Sequence, residues 1–129
     1  ATTWENLVPL YEKVRDAIRG AIAEDGFSSI VACHVSHAYR DGASLYYTFL
    51  APMAPEGREE EQWVKTKRAA SDAIMEGGGT ITHHHGIGYE HAPWMREEVG
   101  EVSLDALRSL KKVMDPAGIL NPGKLFPRY

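Results

Sequence analysis

The sequence predicts an α+β fold in which helices pack on one face of an antiparallel sheet. Three observations point there. Two long segments space their apolar residues three and four apart, as amphipathic helices do. Between them lie two β-prone segments joined by Arg40-Asp41-Gly42, a hairpin signal. A chain of 129 residues suffices for one core, so a single domain over residues 1–129 is expected. The expected order is helix, strand, strand, helix, strand, helix. It becomes a ferredoxin-like βαββαβ unit, followed by the last helix, if one more strand precedes it. That first strand is expected to be supplied upstream of Ala1. The start, Ala1-Thr2-Thr3-Trp4, has no initiator Met and runs straight into a helical pattern, which agrees with a chain cut from a longer one.

From Leu7 the first helix lines one face with Leu10, Tyr11, Val14, Ile18, Ala21 and Ile22, and it should end near Asp25-Gly26. Residues 28–39 and 45–50 form the hairpin, being rich in Ile, Val and aromatic side chains. Pro52, Pro55 and Gly57 break the pattern. Residues 59–76 make the second helix, with Trp63, Ala70, Ala73 and Ile74 inward. Glu59, Glu60 and Glu61 sit at its start, where negative charge suits the positive end of the helix dipole. Gly77-Gly78-Gly79 stops it. The β-branched Thr80-Ile81-Thr82-His83 is expected to add a strand that leads into a loop at Gly86-Ile87-Gly88. Ser103 is the expected N-cap of a last helix with inner stripe Leu104, Leu107, Leu110 and Met114, ended by Asp115-Pro116-Ala117-Gly118. Residues 119–129 form a Pro- and Gly-punctuated tail.

Composition removes several function classes. Hydrophobic residues at 43% and charged residues at 25% fit a folded globular chain and not a disordered one. A net charge of -4 leaves no basic patch to neutralise a phosphate backbone, so no nucleic-acid partner is expected. No stretch approaches the roughly 20 apolar residues that span a bilayer, and no signal-peptide pattern opens the chain, so no membrane span and a cytoplasmic location are expected. Cys33 is alone, which rules out an internal disulfide and suits a small buried hydrophobe.

Three adjacent histidines, His83, His84 and His85, are the most unusual local feature. In an extended segment His83 and His85 would share a face and His84 would point away, an awkward geometry for three ligands on one ion. His34, His37, His91 and Glu90 are further candidate ligands, but no CxxC or HExxH spacing supports a metal and none is expected. Neutral imidazoles can instead pass protons near neutral pH, or simply form a polar structural network. Gly86 and Gly88 allow a tight turn and close approach of a flat ligand, while the full GxGxxG dinucleotide pattern is absent. Tyr39 stands at the hairpin tip beside Arg40, where a cation can stabilise a phenolate enough for it to act as a base. Tyr46, Tyr47 and Phe49 read chiefly as packing residues.

Three segments occur in order: Tyr39-Arg40-Asp41-Gly42-Ala43-Ser44-Leu45-Tyr46, Thr82-His83-His84-His85-Gly86-Ile87-Gly88, and Asp115-Pro116-Ala117-Gly118-Ile119-Leu120-Asn121-Pro122-Gly123-Lys124-Leu125. Together they make nearly the whole chain resemble the carboxy-terminal cap domain of FAD-linked oxidases of the vanillyl-alcohol-oxidase type. Within that family the triple histidine is most similar to the alkyldihydroxyacetonephosphate synthases. The resemblance implies a ferredoxin-like cap that shapes a small-molecule substrate pocket over a flavin, with FAD held mainly by an N-terminal domain absent from this sequence. It implies that Tyr39, His83, His84 and His85 serve proton transfer, and that Asn121, Lys124 and Gly86 lie against the cofactor. It also implies a partner in the chain's own N-terminal FAD-binding domain, leaves homodimerisation open, and makes the isolated chain inactive. The tail Asn121-Pro122-Gly123-Lys124 is more similar to flavin-dependent oxidases and dehydrogenases of 2-hydroxy acids, an alternative substrate class. Some of those bind a metal through GDGNxH and EHG motifs, but Tyr46 and His84 stand here in place of two of the ligands. A stand-alone ferredoxin-like metal-binding or regulatory module is the rival from another class.

Overall fold

The computed structural model describes residues 1–126; residues 127–129, the end of the expected tail, lie outside the described residues. The chain divides into two compact units, the first Ala1–Thr80 and the second beginning at Ile81.

The first unit is built on α1, Leu7–Ala23, whose helical spacing buries Leu10, Val14, Ile18, Ala21 and Ile22, with Tyr11 half-buried. The helix is over by Gly26, which takes φ +81° and donates its N–H to the Ala23 carbonyl at 2.9 Å. The hairpin strands follow as β2, Ile30–Ala38, and β3, Gly42–Leu50, antiparallel from Ile30↔Leu50 to Val35↔Leu45. Along β3 burial alternates, so Leu45, Tyr47 and Phe49 turn toward the core while Tyr46, Thr48 and Leu50 face outward. The second helix, α2, is Glu59–Glu76 as the sequence predicts. Leu10, Val14, Ile18, Ile22, Val31 and Ala73 form the core, with the inward side chains of β3 packed against it. Each large aliphatic side chain buried there stabilises the unit by roughly 1.5–3 kcal/mol relative to exposure.

Two features of this unit differ from expectation. A two-residue strand, β1 (Thr2–Thr3), lies ahead of α1 and pairs antiparallel with β3, Thr2↔Ala43 and Thr3↔Gly42, giving sheet order β1-β3-β2. The strand expected from upstream thus has a short counterpart within the chain. Its approach depends on Gly42, because a Cβ at that position would sit 2.1 Å from the Thr2 carbonyl oxygen. Trp63 is 49% exposed and not inward. The inner stripe of α2 uses the small Thr66, Ala70 and Ala73, which lets α1 and α2 pack closely, while the indole packs on Phe49 at 5.9 Å and under the Lys67 ammonium at 5.6 Å.

Where the second unit begins, no strand forms at residues 80–83 among the described residues. The backbone there has other partners: Ile81 buries its side chain and donates its N–H to the Glu98 carboxylate at 3.0 Å, so the group a ladder would use is already taken. A 3-10 turn, Ala92–Trp94, leads into α3, Met95–Val99, and α4, Glu101–Met114. The N-cap of α4 is Gly100 at φ +77°, and Ser103 lies inside the first turn. A residue without Cβ reaches that conformation cheaply, so the helix is capped three residues earlier than the Ser signal suggests. Of the expected stripe, Leu104 is buried and Leu107 half-buried, but Leu110 and Met114 are 55% and 72% exposed. The buried apolar set of this unit, Ile81, Ala92, Met95 and Leu104, is too small to cover the whole helix. α4 stops at Asp115 as expected. The buried Asp115 carboxylate accepts from Lys111 and from the N–H groups of Ile119 and Leu120 at 3.1 and 3.0 Å. The Lys111 ammonium chiefly holds this carboxyl below the usual carboxylate range, with the two backbone donors adding to it.

Candidate functional site

In the first unit the hairpin tip presents Tyr39, with a side chain about half exposed. Its backbone is clamped: Tyr39 donates to the Gly42 carbonyl at 2.8 Å, its own carbonyl accepts from the Trp4 indole at 3.1 Å, and Trp4 donates its N–H to Asp41 at 3.2 Å. Trp4 is a supporting residue the sequence reading passed over, because the bond joins positions 35 apart.

The outward face of the same hairpin carries a second group. His34 is directly opposite Tyr46, and their rings stack at 5.3 Å. His37 is three residues from His34, so a regular strand would send the two to opposite faces. A β-bulge between Val35 and His37 inserts Ser36 and restores His37 to the face of His34, pairing it with Ser44. Ser36 marks the bulge by donating its hydroxyl to the Ser44 carbonyl at 3.3 Å, and it lies 3.2 Å from His37 Nδ1. Cys33 faces the other way, half-buried, and burial pushes its thiol pKa up, which makes it a poor nucleophile. Its neighbour Tyr47, also raised by burial, donates to the Leu10 carbonyl at 3.4 Å and acts as a packing residue.

The second unit gathers the other residues singled out in the sequence. His83, His84 and His85 are all exposed. They form a contiguous ring cluster, His83 edge-on to His84 at 5.1 Å and His84 edge-on to His85 at 4.2 Å. The alternation expected of an extended strand is therefore replaced by three rings in contact. His83 Nδ1 and His84 Nδ1 stand 2.9 Å apart, so one nitrogen donates and the other accepts. After them Gly86 and Gly88 take φ +79° and +59°, and an added Cβ at either would meet nothing within 4 Å. Backbone conformation, not crowding, demands glycine here, and the open backbone accommodates a flat ring.

The tail turn meets this loop. Lys124 donates its N–H to the Asn121 carbonyl at 3.3 Å, which closes the turn. Tyr89, which the sequence reading did not single out, donates its hydroxyl to the Pro122 carbonyl at 2.9 Å, and Lys124 Nζ stands 3.6 Å from its ring centroid. Gly86, Asn121 and Lys124 are thus gathered in one unit with the three histidines, while Tyr39 belongs to the other. An open glycine backbone and an ammonium fit contact with a flat ring system bearing negative charge.

Comparison with known proteins gives these residues a context. The model of the family described as FAD linked oxidases, C-terminal domain, matches residues 1–125. The alkyldihydroxyacetonephosphate synthase of Trypanosoma brucei brucei is 39% identical over 124 residues, 96% of this chain and 20% of that protein. The alkyldihydroxyacetonephosphate synthase of Dictyostelium discoideum is 34% identical over 125 residues, 97% of this chain and 20% of that protein. The mitochondrial D-lactate dehydrogenase (cytochrome) of Kluyveromyces lactis is 32% identical over 126 residues, 96% of this chain and 20% of that protein. The chain spans about a fifth of the length of these relatives. No described helix is long and apolar enough to cross a membrane.

Proposed function

The chain belongs to the family of FAD-linked oxidase C-terminal domains, and from that membership we propose that it is the substrate-binding cap of an FAD-dependent enzyme of the alkyldihydroxyacetonephosphate synthase type. The observation that carries the proposal is the match over residues 1–125 with 39% identity to a synthase across nearly the whole chain. In this reading FAD, when bound, supplies the electrophilic and electron-accepting ring chemistry, and a portion of the enzyme corresponding to the other four-fifths of the relatives holds most of it.

The residues of this chain then bind, orient and move protons. The exposed cluster of His83, His84 and His85 can take a proton from substrate and pass it along, because the Nδ1 atoms of the first two already share one hydrogen-bonding position. Tyr39, backbone-clamped and ring-exposed, presents a phenol whose oxygen can accept or return a proton. Gly86 leaves room for the flavin face, and Asn121 and Lys124 supply a polar turn at its edge.

The test uses the complete flavoprotein. Tyr39→Phe and His84→Ala should each lower kcat by about 10²–10⁴ while the bound-flavin absorbance stays unchanged, the size expected when an acid–base group is lost. Unchanged turnover in both variants would remove the proton-transfer role. A second reading, a cap for 2-hydroxy acid oxidation, rests on the 32% identity to the Kluyveromyces lactis D-lactate dehydrogenase. Assay of acyl-dihydroxyacetone phosphate with a fatty alcohol against a panel of 2-hydroxy acids decides between the two.

A further inference from the structure

We propose that Tyr89 is a positioning residue that locks the turn carrying Lys124 onto the end of the histidine loop, so that the lysine charge is fixed at the flavin. The second half of this statement rests on the cap reading above; the first half does not.

The step Gly88-Tyr89 makes three attachments to the segment 122–125. The Gly88 carbonyl accepts from Leu125 N–H at 3.2 Å, the Tyr89 hydroxyl donates to the Pro122 carbonyl at 2.9 Å, and the Tyr89 ring faces Lys124 Nζ at 3.6 Å from its centroid. The turn needs such ties. Asn121 and Leu125, at φ +46° and +72°, are the non-glycine residues with positive φ among the described residues, and they bracket Lys124 on both sides. A side chain with a Cβ in this region is strained, and a bulky leucine more so than an asparagine, so the conformation persists only where the surroundings over-determine it.

The ring contact adds direction. A lysine on its flexible four-carbon stem ordinarily sweeps a wide volume, whereas the face of an aromatic ring attracts the ammonium to one side. Tyr89 therefore converts a mobile cation into a placed one. A placed positive charge beside a flavin stabilises the electron-rich reduced ring and raises its reduction potential.

The experiment has two arms. In the 129-residue chain, the Lys124 ε-methylene protons should resonate upfield through the ring current of Tyr89. That shift should persist in Tyr89→Phe, which keeps the ring, and vanish in Tyr89→Leu. Ordinary lysine shifts in the unsubstituted chain, or an upfield shift that survives Tyr89→Leu, would overturn the attachment. In the flavoprotein, Lys124→Met should move the flavin potential to more negative values. Tyr89→Leu should move it the same way, Tyr89→Phe much less, and Tyr89→Leu combined with Lys124→Met no further than Lys124→Met alone. A potential that moves with Lys124→Met but stays put with Tyr89→Leu overturns the positioning role, and one unmoved by Lys124→Met overturns the role given to the charge. A protein that takes up no flavin refutes the cap reading instead, and the proton shifts still decide whether Tyr89 holds Lys124.

Discussion

Asp115 ties the C-terminus of α4 to the tail with hydrogen bonds from Lys111, Ile119 and Leu120, all of which favour its charged form. Its pKa is lower in the folded chain than in the unfolded one, so the stability it contributes is present above the unfolded value, about 3.9, and is lost as pH falls through the folded value. In an acid titration the amide resonances of Ile119 and Leu120 should move together with a midpoint below about 3.9, and Asp115→Asn should abolish that movement. A midpoint at or above the ordinary value would mean the carboxylate does not anchor the turn. At this scale the sequence revealed candidates better than neighbours. His83, His84 and His85 stand out by residue type alone. Tyr89 does not, because its partner Pro122 is 33 residues away and nothing local marks the pair.

Periodicity identified α1 and α2 well, since each is long and buries a face at helical spacing. It failed where short-range signals met stronger local options. The β-branched run at residues 80–83 has a carboxylate, Glu98, in place of a partner strand, and the Ser103 cap gives way to Gly100, which reaches φ +77° without strain. The apolar stripe of α4 was correctly spaced yet only its first member is fully buried, because spacing shows which face is apolar and not what covers it. Leu104→Ala should therefore cost about 2–5 kcal/mol, whereas Met114→Ala should stay within about 0.5 kcal/mol. Urea unfolding followed by amide signals of α4 distinguishes them, and equal effects would contradict the exposure of Met114.

For the whole molecule, the α+β class, the antiparallel hairpin and the family were all legible, the last because three separated motifs occur in order along one chain. The chain matches only about a fifth of each relative, so the proposed cap should be unable to retain the cofactor alone. Titration of FAD into the purified 129-residue chain should leave no stoichiometric flavin absorbance after gel filtration; a yellow protein peak would show that these residues suffice for binding. The bulge at Ser36 bears on how such a surface changes through descent. Because strand side chains alternate, one inserted residue reverses the parity of everything beyond it. The bulge absorbs that residue here: removing the Ser36 codon would leave His37 two positions from His34, still opposite Ser44 and on the side shared by His34 and Tyr46. In this hairpin the bulge lets the outward pair of imidazoles beside Tyr46 survive the loss of one residue, an event that would turn a regular strand over.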